Sequence, residues 1–345
     1  MAGRIRSESG FSLAEMLIAT GLLLVVSSIV TSALMQMTSH QQTIWNRTEM
    51  HSGVRGATEL LQQEVGQAGR ITLPGAVWVS GNAVVVPANP TACVVAQPTL
   101  SSVTGMWFDA ATNTGTSLTF LDGDNSETVR ISALDTAAST VTGCFWHSHV
   151  AGVQGVGAPV TVMGAFATGI VPPNPPSTLP NGSTANKLKL YGDINGDGNM
   201  VYIEYYCDNG DPGTAGSFNL YRNVMPFNTL AINKPVLTSS MILLSNVHPN
   251  PPDAGGVARP CFQYQMNPNP PMIVQGAPFT FVLDVAVTLT VWTQQADPVT
   301  HQFQTETKAL LNVSPRNVFS AWELASIGYT ERIQSTPGTV TALLP

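Results

Sequence analysis

Charged residues are scarce in this chain. Only 10% of its 345 residues are Asp, Glu, Lys or Arg, and the formal net charge is -7. A surface that binds nucleic acid needs clustered Lys and Arg, because these side chains displace counterions from phosphates. We therefore predict no nucleic-acid partner.

Sequence signatures of catalysis are also missing. The motifs Gly-x-Ser-x-Gly, His-Glu-x-x-His and the Walker loop do not occur. Gly155-Val-Gly157 lacks the third glycine of a dinucleotide-binding loop. We predict that the protein is not an enzyme, and a membrane-tethered enzyme is the least favoured class.

Cysteine occurs at only four positions, which are Cys93, Cys144, Cys207 and Cys261. Although His147 and His149 follow Cys144, a zinc site needs a second ligand pair at finger spacing, and the sequence lacks one. The His-x-His pattern is more typical of a solvated strand face. We therefore predict no zinc site here.

One long apolar run stands near the N-terminus. It covers residues 11–37, and a polar leader containing Arg4 and Arg6 precedes it. At 1.5 Å per residue a helix of this length spans ~40 Å, more than the ~30 Å hydrocarbon core of a bilayer. The run therefore predicts one transmembrane helix, with the basic leader in the cytoplasm.

Glu15 is the only charged residue in this run. Inserting a carboxylate at the centre of a bilayer costs roughly 2.5 kcal/mol or more, so its presence indicates a function. The carboxylate is expected to have a charged partner, and an α-amine is suited to that role. An ordinary secretory signal, cleaved after Thr31-Ser32-Ala33, is the alternative interpretation of the run, and it gives Glu15 no role.

Gly10, Phe11 and Glu15, followed by the apolar run, resemble the class III leader of the type IV pilin family. The resemblance implies that a prepilin peptidase cleaves after Gly10 and that Phe11 is N-methylated. It further implies that Glu15 of an incoming subunit pairs with the amine of Phe11 in a subunit already in the fibre.

The helix is predicted to continue beyond the apolar run. Apolar residues recur near helical spacing and predict one buried stripe made of Ile44, Val54, Ala57, Leu61, Val65 and Ala68. Gly69 is the predicted C-cap, and Pro74 excludes further helix. Residues 38–70 are therefore expected to be the amphipathic half of one helix.

Short β-branched runs separated by turns fill residues 71–345, where several loops are rich in proline. We predict an α+β, pilin-like fold in which the long helix packs on an antiparallel β-rich domain. The predicted strands are Ala76–Val86, Ser117–Leu121, Thr128–Leu134, Val141–Trp146, Lys187–Tyr191, Val201–Cys207, Asn219–Arg222, Met241–Val247, Cys261–Gln265, Phe279–Trp292 and Glu306–Val313.

Within the pilin family, the chain is most similar to the minor pilin PilW family. The segments TEMHSGVRGATELLQQEVGQAGRI, YGDINGDGNMVYIEYYCDNG and ALLNVSPRNVF carry this resemblance, the last as a closing strand with Arg316 and Asn317. It implies a leader over 1–10, a transmembrane assembly segment over 11–37, an amphipathic segment over 38–70 and an exported domain over 71–345.

The resemblance implies a structural minor pilin that helps to initiate or support assembly and lies at or near the pilus tip. The implied partners are the prepilin peptidase, other minor and major pilins and an inner-membrane assembly platform. The protein would be a single-pass inner-membrane protein with a periplasmic domain before it joins a pilus at the cell surface. A J-type minor pseudopilin of type II secretion and a tip adhesin remain alternatives.

A possible calcium loop lies at residues 193–204. The oxygen-bearing side chains of Asp193, Asn195, Asp197 and Asn199, with Glu204 at the twelfth place, fit calcium-loop spacing. Strand-like flanks predict a hairpin rather than an EF-hand, and Glu204 is the weakest ligand because an extended strand carries it away from the loop. The alternative is a turn whose glycines supply positive φ angles. No cofactor is required, and Ca²⁺ is a possible structural ion.

An exported domain favours disulfides, and four cysteines allow three connectivities. The family resemblance places the runs carrying Cys207 and Cys261 in one sheet, which favours that pair and leaves Cys93 with Cys144. Buried thiols are the alternative.

Overall fold

The computed structural model describes residues 10, 12–173, 181–210, 218–267, 272–274 and 277–344. By contacts, the chain forms two compact units. One comprises the chain up to Ser52 together with Trp292–Thr305, and the other comprises Gly53–Val291 and Glu306–Pro345. The α+β class is confirmed, since a long N-terminal helix precedes a region rich in antiparallel strands.

The described residues contain three α-helices, of which the first is by far the longest. They are α1 Leu13–Gln67, α2 Arg316–Ser326 and α3 Gly338–Leu343. The C-terminal end of α1 confirms the prediction, because Gly69 has φ +79° and so terminates the helix in the left-handed conformation. Short 3₁₀ helices cover Gly123–Asn125, Ala231–Asn233, Ser239–Met241 and Thr330–Arg332.

The rest of the regular structure consists of β-strands, most of them short. In chain order the strands are β1 Val77–Gly81, β2 Val94–Ala96, β3 Thr99–Leu100, β4 Phe108–Asp109, β5 Thr114–Gly115, β6 Ser117–Phe120, β7 Glu127–Arg130, β8 Ala133–Asp135, β9 Thr140–Phe145, β10 Pro159–Thr161, β11 Ala165–Phe166, β12 Lys187–Gly192, β13 Val201–Asp208, β14 Asn219–Pro226, β15 Ile242–Ser245, β16 Val247–His248, β17 Phe262–Met266, β18 Met272–Val274, β19 Ala277–Phe279, β20 Val282–Trp292, β21 Thr305–Val313 and β22 Ile333–Gln334.

Three larger sheets organise these strands. The first has eight strands, with the order β2-β9-β3-β1-β10-β6-β7 and with β8 paired to β9. The second has the order β12-β13-β14-β15, and the third has the order β16-β20-β17, with β21 also paired to β20. Pairing in the first two sheets is antiparallel, as predicted. The short pair β11 and β22 is parallel.

The second half of α1 packs through the predicted stripe. Val54, Ala57, Leu61, Val65 and Ala68 are each at most 2% exposed. Ile44 is 65% exposed, so its place in the stripe is wrong. The apolar spacing continues through it, but burial of the stripe begins only near Met50.

The C-terminal segment differs from the expectation. Arg316 and Asn317 do not belong to a closing strand, because β21 ends at Val313 and these two residues begin α2. The amide of Asn317 donates to the carbonyl of Gln67, 3.1 Å away, and so satisfies the C-terminal end of α1. Asn317 therefore supports the long helix rather than extending a sheet.

Candidate functional site

The N-terminal end of α1 is closed by a reciprocal pair of hydrogen bonds. The backbone N–H of Ser12 donates to the Glu15 carboxylate over 2.9 Å, and the backbone N–H of Glu15 donates to the Ser12 hydroxyl over 3.3 Å. This is a capping box, which satisfies two N–H groups left without intrahelical partners. Gly10 is exposed, while Phe11 and residues 1–9 lie outside the described residues.

The first half of α1 leaves its apolar side chains uncovered. Leu13 is 79% exposed and Leu24 is 71% exposed. The helix is long and apolar enough to cross a membrane, and its most apolar 18-residue window is not buried. A signal sequence or the core helix of a soluble protein can meet the same criteria of length and composition.

The second half of α1 carries a buried carboxylate that was not predicted as a site. Glu64 is 4% exposed and accepts hydrogen bonds from the hydroxyl of Tyr205 and the guanidinium of Arg222. Tyr205 lies on β13 and Arg222 on β14, so this cluster joins the helix to the second sheet. Leaving one member of a buried ion pair without its partner is costly, so the contact fixes the helix to the sheet in one register.

The predicted calcium loop is a hairpin connection between β12 and β13, as expected. The Asp193 carboxylate is fully buried and accepts the backbone N–H groups of Gly196, Asp197 and Gly198 at 2.8, 3.0 and 3.1 Å. The hydroxyl of Thr72 also donates to it. Its oxygens therefore close the loop through hydrogen bonds.

The other predicted ligands are distributed unevenly. Asn195, Asp197 and Asn199 are exposed on the loop, and the Asp197 carboxylate accepts the backbone N–H of Asn199 at 2.9 Å. The hydrogen bonds from the backbone and side chain of Asn199 lower the pKa of Asp197. These three residues are thus the part of the predicted set that is open to solvent.

Glu204 is not brought into the loop. It lies within β13, where its carboxylate accepts the Tyr202 hydroxyl at 2.7 Å and the Lys234 ammonium at 2.8 Å. Within the described parts of the chain, no group of three His, Cys, Asp or Glu residues is placed to hold a metal. Calcium binding stays a prediction, and its remaining candidate ligands are on the loop itself.

Two lysines, the buried Lys189 and the half-buried Lys234, hold the C-terminal residues, a contact that the sequence did not predict. Lys189 Nζ donates to the carbonyls of Asn181 and Leu344, and Lys234 Nζ donates to the carbonyl of Leu343 at 2.7 Å. Burial lowers the pKa of Lys189 to about 8. The two ammonium groups therefore bind backbone carbonyls of the last turn and fix it against the second sheet.

Both disulfides are present in the favoured pairing. Cys93 is bonded to Cys144, and Cys207 is bonded to Cys261. The second disulfide joins β13 to the residue before β17, and both its cysteines are at most 1% exposed. Cys93 and Cys144 are only partly buried.

His149 is buried, so its predicted place on a solvated face is wrong. Its Nε2 lies 3.0 Å from Glu127 Oε1, its Nδ1 lies 3.6 Å from Asp122 Oδ2, and its ring stacks on Phe120. The alternation of a short strand did not reveal this, because His149 follows the end of β9 at Phe145. His147 is exposed, so the two histidines lie in different environments.

No protein-family model, curated protein or solved structure matches this chain.

Proposed function

We propose that this protein is a minor pilin of a type IV pilus, a structural subunit that helps to start or support fibre assembly near the tip. The observation that carries the proposal is the division of α1. One continuous helix has an uncovered apolar half that bears a single carboxylate, and its other half packs against a β-rich domain. A removable signal has no need of a helix that extends into the core of the domain.

This arrangement suits a subunit that leaves the membrane for a fibre. The uncovered half of α1 is stable in lipid, and a bundle of similar helices in a fibre core offers it an equivalent apolar environment. Glu15 is costly in both surroundings unless a cation neutralises it, and the free amine of a processed Phe11 on another subunit supplies that cation. Pairing therefore favours transfer into the fibre and defines the axial register.

A minor pseudopilin of type II secretion would share every one of these features. The two functions differ in their partners, and the neighbouring genes distinguish them, since pilus genes accompany one and secretion genes the other. The partners in the pilus are the prepilin peptidase, other minor and major pilins and the assembly platform of the inner membrane.

Determination of the mature N-terminus tests the proposal. In cells with a prepilin peptidase, we expect the purified protein to begin with N-methylated Phe11. Gly10→Val should abolish processing, whereas Gly21→Val, on the same helix, should leave it intact. Neither substitution meets a neighbouring atom within 4 Å at Cβ. A mature chain that begins after Ala33 would instead identify an ordinary secretory signal and refute the proposal.

A further inference from the structure

The loop between β20 and β21 is closed on itself. The backbone N–H of Thr293 donates to the carbonyl of Gln304, and that of Asp297 donates to the carbonyl of Gln302, both over 2.9 Å. These bonds make residues 293–304 a hairpin-like projection of the two strands. The unit to which it belongs also contains the first part of α1.

The projection runs along α1 towards the apolar segment. Gln304 accepts a hydrogen bond from Arg47, and Asp297 is bonded to the side chain of Thr43. Val299, at the tip, lines a groove together with Gln36 and His40. Arg47 and Gln36 are ~16 Å apart along the helix axis. The tip of the projection therefore lies beside the turn of α1 in which the apolar run ends.

The helix carries no Asp, Glu, Lys or Arg between Met16 and Asn46, a stretch of 31 residues. At 1.5 Å per residue this stretch spans ~46 Å, whereas a bilayer measures ~30 Å across its hydrocarbon core and ~40–45 Å with its headgroups. A membrane-spanning α1 therefore places its last uncharged turns among the headgroups, and Arg47 begins the aqueous part.

Exposed aromatic side chains occur on α1 and on the projection near this level. Trp45 on α1 is 73% exposed, and on the projection Trp292 and Phe303 are 36% and 50% exposed, with ring centroids 6.0 Å apart. Val299 is 57% exposed. Trp and Tyr are enriched where headgroups meet acyl chains, because their rings are apolar and their polar tips reach water.

The acidic residue of the projection, Asp297, is buried. Asp297 is 4% exposed, and it accepts the backbone N–H groups of Val299 and Thr300 at 2.8 and 2.9 Å and the amide of Gln304 at 2.7 Å. The hydrogen bonds from Thr300 and Val299 lower the pKa of Asp297 to about 2. Donors within the loop therefore satisfy this ionised carboxylate.

We infer that residues 292–304 form a membrane-interface anchor, which rests Val299, Phe303 and Trp292 against the headgroup boundary of the bilayer that α1 crosses. Lipid is the occupant of this apolar surface because the surface is continuous with the uncovered apolar half of α1 and lies at the end of it. The inference rests on the membrane span of the proposed function. Its role is to fix the end of the membrane-spanning part of α1 at the bilayer surface before the subunit enters a fibre.

Fluorescence quenching by brominated lipid tests the inference. The full-length protein is reconstituted in phosphatidylcholine and phosphatidylglycerol vesicles that carry bromine on the acyl chain near the headgroup. Two of the six tryptophans should be quenched, so Trp45→Phe and Trp292→Phe should each remove roughly half of the quenched fluorescence. Trp146→Phe, which removes a 49% exposed tryptophan of the other unit, should remove none.

A charge at the tip provides an independent test. Val299→Asp should lift the projection and reduce quenching of Trp292, while Val257→Asp, at a position with similar exposure of 64%, should not. If Trp45→Phe reduces quenching and Trp292→Phe does not, the anchor is refuted while the membrane span stands. If the protein does not float with the vesicles, both the anchor and the proposed function fail.

Discussion

Ser12 and Glu15 satisfy each other at the first turn of α1, with the backbone N–H of each residue donating to the side chain of the other. Glu15 therefore has a local role in addition to the intersubunit pair that we propose. The local role needs only an oxygen acceptor, which Gln also supplies. The intersubunit role needs a negative charge, so substitutions can separate the two.

We expect Glu15→Gln to preserve α1 and to reduce incorporation into fibres roughly tenfold or more, the factor that corresponds to about 1.4 kcal/mol. The reason is that Gln keeps the capping box but leaves the amine of Phe11 without a counter-charge. Ser12→Ala removes one cap hydrogen bond and keeps the charge, so its incorporation should stay close to that of the wild type. Incorporation is measured by immunoblotting of sheared fibres against total membrane protein.

Glu59→Gln is the matched control, because Glu59 lies on the same helix and pairs with Arg55 in an exposed i,i+4 contact. If Ser12→Ala abolishes incorporation while Glu15→Gln does not, Glu15 acts through the cap alone.

The elements with strong periodicity could be predicted from the sequence. The end of α1 was predicted correctly because Gly69 and Pro74 are unambiguous terminators, and β12 and β13 were predicted to within one residue of each observed end. Their runs of Tyr, Ile and Val have the composition of buried strands.

The remainder depends on contacts that no local pattern reveals. Glu64 lies in a glutamine-rich stretch whose composition is typical of a solvent-exposed helix face. Its contacts with Tyr205 and Arg222 are formed only in the folded structure. The same holds for Lys189, whose partner Leu344 is 155 residues away. Asp193 was predicted as a calcium ligand, which stays a prediction, and in the structure its carboxylate oxygens accept backbone N–H groups of the loop.

Asp193→Ala is expected to lower the free energy of unfolding by about 2 kcal/mol, because backbone N–H groups of the hairpin lose their acceptor. In the presence of a chelator, Asp197→Ala should leave the free energy of unfolding near the wild-type value, since its side chain is exposed. Both are measured by urea unfolding of the full chain in detergent, followed by tryptophan fluorescence.

The same experiment with and without a chelator tests calcium. If the predicted loop binds Ca²⁺, chelation should destabilise the wild type and have no further effect on Asp197→Ala. Equal stability of the wild type in both buffers would contradict calcium binding.

The two disulfides should differ in their resistance to reduction. Thiolate attack requires access to sulfur, so Cys93–Cys144, which is partly exposed, should be reduced first, and Cys207–Cys261 should resist until the domain opens. Alkylation after timed exposure to dithiothreitol, read by peptide mass spectrometry, gives the order. Simultaneous reduction in native buffer would show that the burial of Cys207 and Cys261 gives no protection.

Loss of either disulfide should reduce stability by about 2–4 kcal/mol, as is usual for loops of this length. Cys207→Ala with Cys261→Ala should lie at the upper end of this range, because both sulfurs are packed in the core and their removal leaves space. The double variant of Cys93 and Cys144 is the matched comparison, since the two loops span 54 and 51 residues.

Glu127 should make stability depend on pH in the acidic range. Burial alone would raise the pKa of its carboxyl, but hydrogen bonds from His149 and from the backbone N–H groups of Trp146 and His147 lower it overall. A carboxyl whose folded pKa lies below its unfolded value, about 4.3, stabilises the fold fully above that value. Its contribution is lost as the pH falls through the folded pKa.

We therefore expect Glu127→Gln to cost about 1–3 kcal/mol at pH 7, because Gln cannot accept the same three charge-assisted bonds. The difference in free energy of unfolding between the variant and the wild type should shrink as the pH falls below about 4.3, because the wild-type carboxyl then also becomes neutral. Asp124→Asn, an exposed change three residues earlier, should show no such trend. A difference that stays constant from pH 7 to pH 3 would mean that the side chain of Glu127 acts by packing and not by its charge.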